Sequence, residues 1–188
     1  MGSTYLPEDT VAALEQGFAQ LAGDFNQDGS ALVRVNQFIT ADPEAAPDTA
    51  LSSYGSEIKL MGDISANESY FFLTDDPETL QRSFQILADP DGSCPDETDY
   101  SAEGKTVLWS DCFALSEMDP GSYTAVITGN EVTGDSQELL SGLHLGRRCF
   151  YTDKAVDYYS QCNELWNTIL GTKDIQNGHR LLYEFIPY

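Results

Sequence analysis

Basic residues are scarce in this sequence: 9 Lys and Arg stand against 31 Asp and Glu, a formal charge of −22. A surface so acidic repels phosphate backbones and anionic lipid, which argues against nucleic acid and against direct contact with acidic membrane. It leaves cations, basic proteins and neutral ligands as partners, either a small ligand or another protein, and at its plainest it only keeps the chain soluble. Histidine is scarcer still, with His144 and His179 alone. His144 stands in the apolar context Leu143-His144-Leu145 and reads as a structural residue rather than a base. No G-x-S-x-G nucleophile motif occurs and no glycine loop of the phosphate-binding kind. No stretch approaches the roughly 20 apolar residues of a membrane helix. A signal peptide is missing too. Met1-Gly2-Ser3 reads as an added start, which leaves room for a native leader or surface anchor that has been removed. The cysteines, Cys94, Cys112, Cys149 and Cys162, show no C-x-x-C spacing, which counts against zinc. They permit two disulfides in an oxidising compartment or four separate thiols in a reducing one. Cys94 and Cys112 flank a long loop and are the expected pair; Cys149 and Cys162 are left open.

What is present is enough for one domain. At 188 residues the chain can bury roughly 70% of its unfolded surface, and it needs no metal or disulfide merely to fold. The reading is organised by Tyr70-Phe71-Phe72-Leu73, four apolar residues in a row, which predict a strand covered on both faces. Asp76 follows as an N-cap, Pro77 as the first helical residue, and Glu78 suits the positive helix end.

Around that strand the first half reads helix, strand, helix, strand, helix. The first helix spans 7–22, with Val11, Leu14, Phe18 and Leu21 on one stripe and Gly23 placed to end it. A strand follows at 32–39, where Val33 and Val35 alternate with Arg34 and Asn36. The second helix starts at Asp48 or Thr49 and runs to about Ile64, with the stripe Leu51, Tyr54, Ile58 and Met61. The third helix spans 77–87. Two strands joined by a helix are most simply parallel, with a right-handed crossover. In the second half, 89–104 is a loop dense in Asp, Pro, Gly and Ser. Strands are expected within 105–113, 122–128 and 139–151, paired antiparallel, with a polar turn at 129–136. A helix at 153–170 would turn Ala155, Tyr159, Cys162, Trp166 and Ile169 inward, and 179–188 would add an edge strand. The expected fold is therefore a single α/β domain, α+β in its second half, with a mixed central sheet built on a parallel βαβ core and helices packed on it.

Residues 11–84 resemble the first lobe of the extracytoplasmic solute-binding proteins of bacterial importers. The likeness lies in the order of features: an amphipathic helix, a turn and strand at 32–39, a helix ending in Lys59-Leu60-Met61, and a strand ending in Asp75-Asp76. The resemblance implies a single-lobe cell-surface domain, with the loop after the second strand contributing to a ligand cleft.

Asp75 and Asp76 are the candidate ligand-binding residues, because ligand sites in α/β sheets lie where parallel strands end; the plainer alternative is a helix cap and its solvated neighbour. Asp24, Asn26 and Asp28, followed by Gly29, have the spacing of the first half of a calcium loop. Position twelve is Val35, which offers no carboxylate, so calcium would need a ligand from elsewhere, such as Asp89, Asp91, Asp96 or Asp99. The alternative is a turn in which these side chains bond the backbone. No other cofactor is implied. Arg147-Arg148 is the one basic pair, expected at an exposed position, and Asn67-Glu68-Ser69 is a glycosylation sequon by pattern. Three functions remain in view. The first is a non-catalytic binding or interaction module of a bacterial envelope protein. The second is an enzyme acting on carbohydrate through two carboxyls ~5–9.5 Å apart. The third is a purely structural domain of a larger surface protein.

Overall fold

The structure, a computed structural model, describes residues 5–24, 27–39, 47–127, 129–151 and 157–171. The expected edge strand at 179–188 and the first residues of the last helix lie outside them.

Helix α1 spans Glu8–Ala22 and buries Leu14, with Phe18 and Leu21 partly buried beside it. Gly23 takes a positive φ of 70° and returns its N–H to the Ala19 carbonyl, ending the helix. Helix α2 spans Pro47–Ala66 and strand β1 spans Phe71–Thr74. Helix α3, Pro77–Phe84, begins where the Asp76 carboxylate accepts the Thr79 N–H at 3.0 Å. It stops early because Gln85 turns left-handed, and the buried Gln81 side chain then takes the Leu87 N–H. Strand β2, Thr106–Leu108, leads into a 3-10 turn at Trp109–Asp111 and helix α4, Phe113–Ser116. Strands β3, Ser122–Ile127, and β4, Asn130–Asp135, form a hairpin. Helix α5, Ser136–Leu140, strand β5, His144–Arg147, and helix α6, Tyr159–Leu170, complete the described chain.

The main sheet has the order β1-β5-β2, and both of its pairings are antiparallel. This overturns the parallel βαβ core and the α/β reading built on it. The architecture is a small antiparallel sheet with helices on both faces and a separate two-stranded ribbon. Strand β1 is at the edge and β5 at the centre. The apolar run of β1 did carry correct information about coverage. Phe72 packs with Leu60, Leu80 and Leu87 on one face, while Phe71 and Leu73 pack toward Leu14, Trp109 and Trp166 on the other. Coverage on both faces is compatible with either strand direction, and direction was inferred only from the presumed partner at 32–39.

That partner forms no strand. Residues 32–38 form no regular element, yet their burial alternates as expected, with Val33 and Val35 turned in and Leu32 and Arg34 out. However, side chains take up the backbone groups that a ladder would use. The Val35 N–H donates to the Glu15 carboxylate at 2.9 Å and the Ile39 N–H to the Ser56 hydroxyl at 2.8 Å. Strand β4 occupies the expected polar turn. It carries no apolar alternation because all but one of its side chains are exposed.

The 89–104 loop is held firmly in place. Gln81 and Gln85 donate to the carbonyls of Asp99 and Glu97, and Arg147 to that of Pro90 at 3.0 Å. The ammonium of Lys105, itself buried, meets Asp99 at 2.7 Å and Asp89 at 3.6 Å. Burial pushes Lys105 toward a lower pKa, but the hydrogen bond and charge of Asp99, with Asp89, outweigh it and hold the amine above its usual value. All four cysteines are free, so the expected Cys94–Cys112 bridge is absent; Cys112 is sealed in the core beside Trp109 and Leu115.

Candidate functional site

The three strands of the main sheet come together at one end. Thr74, the last residue of β1, and Leu108, the last of β2, both face His144, the first residue of β5. Because each strand starts or stops there, the chain leaves the sheet on three paths, and the space between them is an open cleft of about 710 Å³. One wall is Pro77 and Glu78 at the head of α3. A second is the loop Ser101–Gly104. Thr106, Val107, Leu108 and Asp111 form the floor and far side, and His144 stands between them.

Two hydrogen bonds shape this cleft. The Glu78 carboxylate accepts the Ala102 N–H at 3.1 Å, tying the loop wall to the helix wall. His144 Nδ1 and Thr106 Oγ1 lie 3.4 Å apart on adjacent strands, which orients the half-buried imidazole. The lining then offers carboxyls from Glu78, Glu103 and Asp111, hydroxyls from Ser101 and Thr106, one imidazole, and apolar surface from Pro77, Ala102 and the β2 segment Val107–Leu108. No Lys or Arg lines it. Such a set can accept hydrogen bonds and balance positive charge.

The residues expected to bind ligand stand just outside. Asp76 caps α3, and its hydrogen bonds from Thr79 hold the carboxyl below its usual pKa. Asp75 is exposed on the same turn, and neither lines the cleft, which begins at Pro77. The cleft's own residues come from three stretches far apart in the chain, 77–78, 101–111 and His144, so no spacing motif in the sequence could have gathered them.

The calcium candidates are arranged as a turn. Both oxygens of Asp24 accept backbone N–H groups, from Asp28 at 3.2 Å and Gly29 at 2.7 Å, while Asp28 accepts from Ser30 at 3.0 Å. Asn26 lies outside the described residues. Asp91 bonds Ser93, and Asp89 and Asp99 hold Lys105. Among the described residues no group of three or more His, Cys, Asp and Glu is placed to hold a metal ion.

Arg147 and Arg148 are not exposed as expected; both are buried. Arg147 donates to Asn163 at 2.9 Å and lies over the Trp166 ring at 5.4 Å. Arg148 serves the opposite face, over Phe150 at 4.8 Å. Backbone and side-chain carbonyls meet the terminal guanidinium nitrogens of both, which offsets much of the cost of burial, while the Nε of each is buried without a hydrogen-bond partner.

Compared with family models, with curated proteins and with solved structures, the chain finds no match. No helix among the described residues is long and apolar enough to cross a membrane.

Proposed function

We propose that this domain is a non-catalytic, extracytoplasmic binding module of a bacterial envelope protein, and that it takes a small organic cation in the cleft beside His144. The observation that carries the reading is the lining: three carboxyls, two hydroxyls and an imidazole beside apolar surface, with no basic side chain. The volume of about 710 Å³ falls within the roughly 300–1,000 Å³ of small-molecule sites. A formal charge of −22 raises the local concentration of cations and speeds their encounter with the cleft. The extracytoplasmic placement is part of the same proposal; it comes from the sequence resemblance alone, one element of which, the strand at 32–39, does not form.

The test is an NMR titration with putrescine, with butane-1,4-diol as its uncharged counterpart. The diamine is expected to give saturable shifts at Thr106, Leu108 and His144 that are absent with the diol and weakened in Glu78→Gln and Asp111→Asn. Shifts spread over the whole acidic surface without saturation would defeat the proposal.

A further inference from the structure

We infer that the cation taken by the cleft is the lysine ammonium of an extended peptide, which adds to the free edge of β2 as a further strand of the main sheet. This rests on the cation reading of the cleft and names the partner that brings the cation. The alternation of hydrogen bonds across the sheet carries it. The Trp109 N–H donates to the Leu143 carbonyl at 2.7 Å and, further along the same side of the central strand, the Ala88 N–H donates to the Arg147 carbonyl at 2.8 Å. On the opposite side the Arg148 N–H donates to the Tyr70 carbonyl at 2.9 Å. Odd-numbered residues along β5 therefore bond toward β2, and even-numbered ones toward β1. In an antiparallel ladder, pairs that exchange hydrogen bonds alternate with pairs that do not. Val107, opposite Leu145, thus spends its N–H and C=O inside the sheet. Thr106, opposite Gly146, and Leu108, opposite His144, turn theirs away from β5. No strand lies on that side of β2, and among the described residues nothing bonds the N–H or C=O of Thr106 or the N–H of Leu108. Both residues line the cleft.

Unpaired donors and acceptors along a sheet edge are a template for another extended chain. Thr106 presents one of each, and a single residue of the incoming chain takes both only in antiparallel pairing. The side chain of that residue then lies on the face of the sheet shared by Thr106, Leu108 and His144. Helix α3 packs on the same face, since its Leu80 lies with Phe72, the β1 partner of Gly146. Glu78 stands at the head of that helix and Asp111 just past the end of β2, and both line the cleft. A lysine opposite Thr106 therefore brings its methylene stem to the apolar lining and its ammonium to the carboxyls. The charges select the partner: no Lys or Arg lines the cleft and the chain carries −22, so an acidic segment is repelled and a basic one drawn in. Lysine suits the site better than arginine, because its three rotatable donors can serve carboxyls from separate walls, whereas a guanidinium fork is built for one.

The test uses the blocked peptide acetyl-Thr-Val-Lys-Val-Thr-amide, its norleucine counterpart, and a version methylated on the lysine backbone nitrogen, each titrated into the unmodified protein beside putrescine. At ten times its Kd the lysine peptide should slow amide hydrogen exchange at Thr106 and Leu108 about tenfold, because both N–H groups become bonded. Putrescine should shift His144 yet leave those two exchange rates as they were. The methylated peptide has lost the donor to the Thr106 carbonyl, and the norleucine peptide the charge; each should bind about tenfold more weakly or worse. Equal binding of the methylated peptide, or unchanged exchange at Thr106 with the lysine peptide bound, would overturn the strand pairing while putrescine binding still supports the cation reading. Equal binding of the norleucine peptide would also overturn the inference, and a failure of putrescine alongside it would remove the cation reading as well.

Discussion

Arg148 donates to the Asn67 side-chain oxygen at 2.8 Å, across a sequence separation of 81 residues. Asn67 is the left-handed residue, φ 58°, that ends α2, and the same guanidinium reaches the Ile64 carbonyl in the helix's last turn and the Ser69 carbonyl just beyond. A residue just past the end of β5 thus completes the C-terminal cap of a helix, a position where positive charge is favoured.

Arg148→Met keeps the apolar stem over Phe150 but leaves those acceptors without a donor. We expect a loss of about 2–4 kcal/mol, since hydrogen bonds from charged groups contribute ~1.5–3 kcal/mol and the stranded acceptors are desolvated. Arg148→Lys should recover only part, lacking the fork that serves several acceptors at once. Urea unfolding measures both; a Met variant within about 0.5 kcal/mol of the parent, the range of an ordinary surface change, would show that the cap contributes little.

The exposed side of α2 reverses what its pattern suggests. Tyr54, Ile58 and Met61 are each more than half exposed, while Ser56, Leu60 and Asp63 are buried. The polar pair is turned inward by specific bonds: Ser56 accepts the Ile39 N–H, and Asp63 accepts the backbone and hydroxyl of Ser69. Tyr54→Ser and Ile58→Ser should therefore each change stability by no more than about 0.5 kcal/mol. Leu60→Ala should lower it by about 2–5 kcal/mol. Thermal unfolding that ranks them the other way would refute this orientation.

These cases show what was readable beforehand. Features set by neighbours in sequence were legible: Gly23 ending α1, the Asp76 cap, and the two-sided coverage of Phe71 and Phe72. Features set by distant partners were not. Strand direction depends on β5, more than sixty residues after β1, and the run of aromatics is silent about it. The stripe of α2 misled because Ser56 and Asp63 find backbone partners that only the fold supplies. Arg147 and Arg148 read as surface residues because charge defaults to water unless carbonyls converge on it, and that convergence has no local signature.

Lys105 and Asp99 predict a pH signature. The Lys105 hydrogen bond holds Asp99 below its usual pKa, and Lys105 itself is raised. Asp99 therefore contributes stability present above its unfolded value, near pH 3.9, and lost as pH falls through its lowered folded value. Lys105 contributes stability fully present below its unfolded value, near pH 10.4, and lost as pH rises through its raised folded value. The gap between wild type and Asp99→Asn should be widest between these limits and narrow at both ends. It should also shrink with salt, since the Asp99 side chain is 38% exposed. A gap constant across the whole pH range would contradict the pairing.

Asp24 and Asp28 are engaged in a turn, and among the described residues they are not joined by a third carboxylate, histidine or cysteine that could complete a calcium shell. Calorimetry on chelator-treated protein should show no heat at millimolar calcium and no change in Tm. A saturable signal removed by Asp24→Asn would establish a site there after all.

The sharpest packing test falls on Gly146 at the centre of β5. A Cβ there would come 2.6 Å from Leu87 Cδ2 and 3.1 Å from Thr106 Cγ2. Leu87 is fully buried among Leu60, Leu80 and Phe72. The glycine is thus required by close approach, because its strand lets the Leu87 side chain lie directly on the backbone. Gly146→Ala should destabilise by about 1–3 kcal/mol through overpacking. Leu87→Ala alone should also destabilise, by about 2–5 kcal/mol, through the cavity it leaves. Combined, the new methyl occupies part of that cavity, so the double variant should lose clearly less than the sum of the two. Strict additivity in urea unfolding would mean that the two side chains do not compete for the same space, and the packing of Leu87 on the sheet would need to be redrawn.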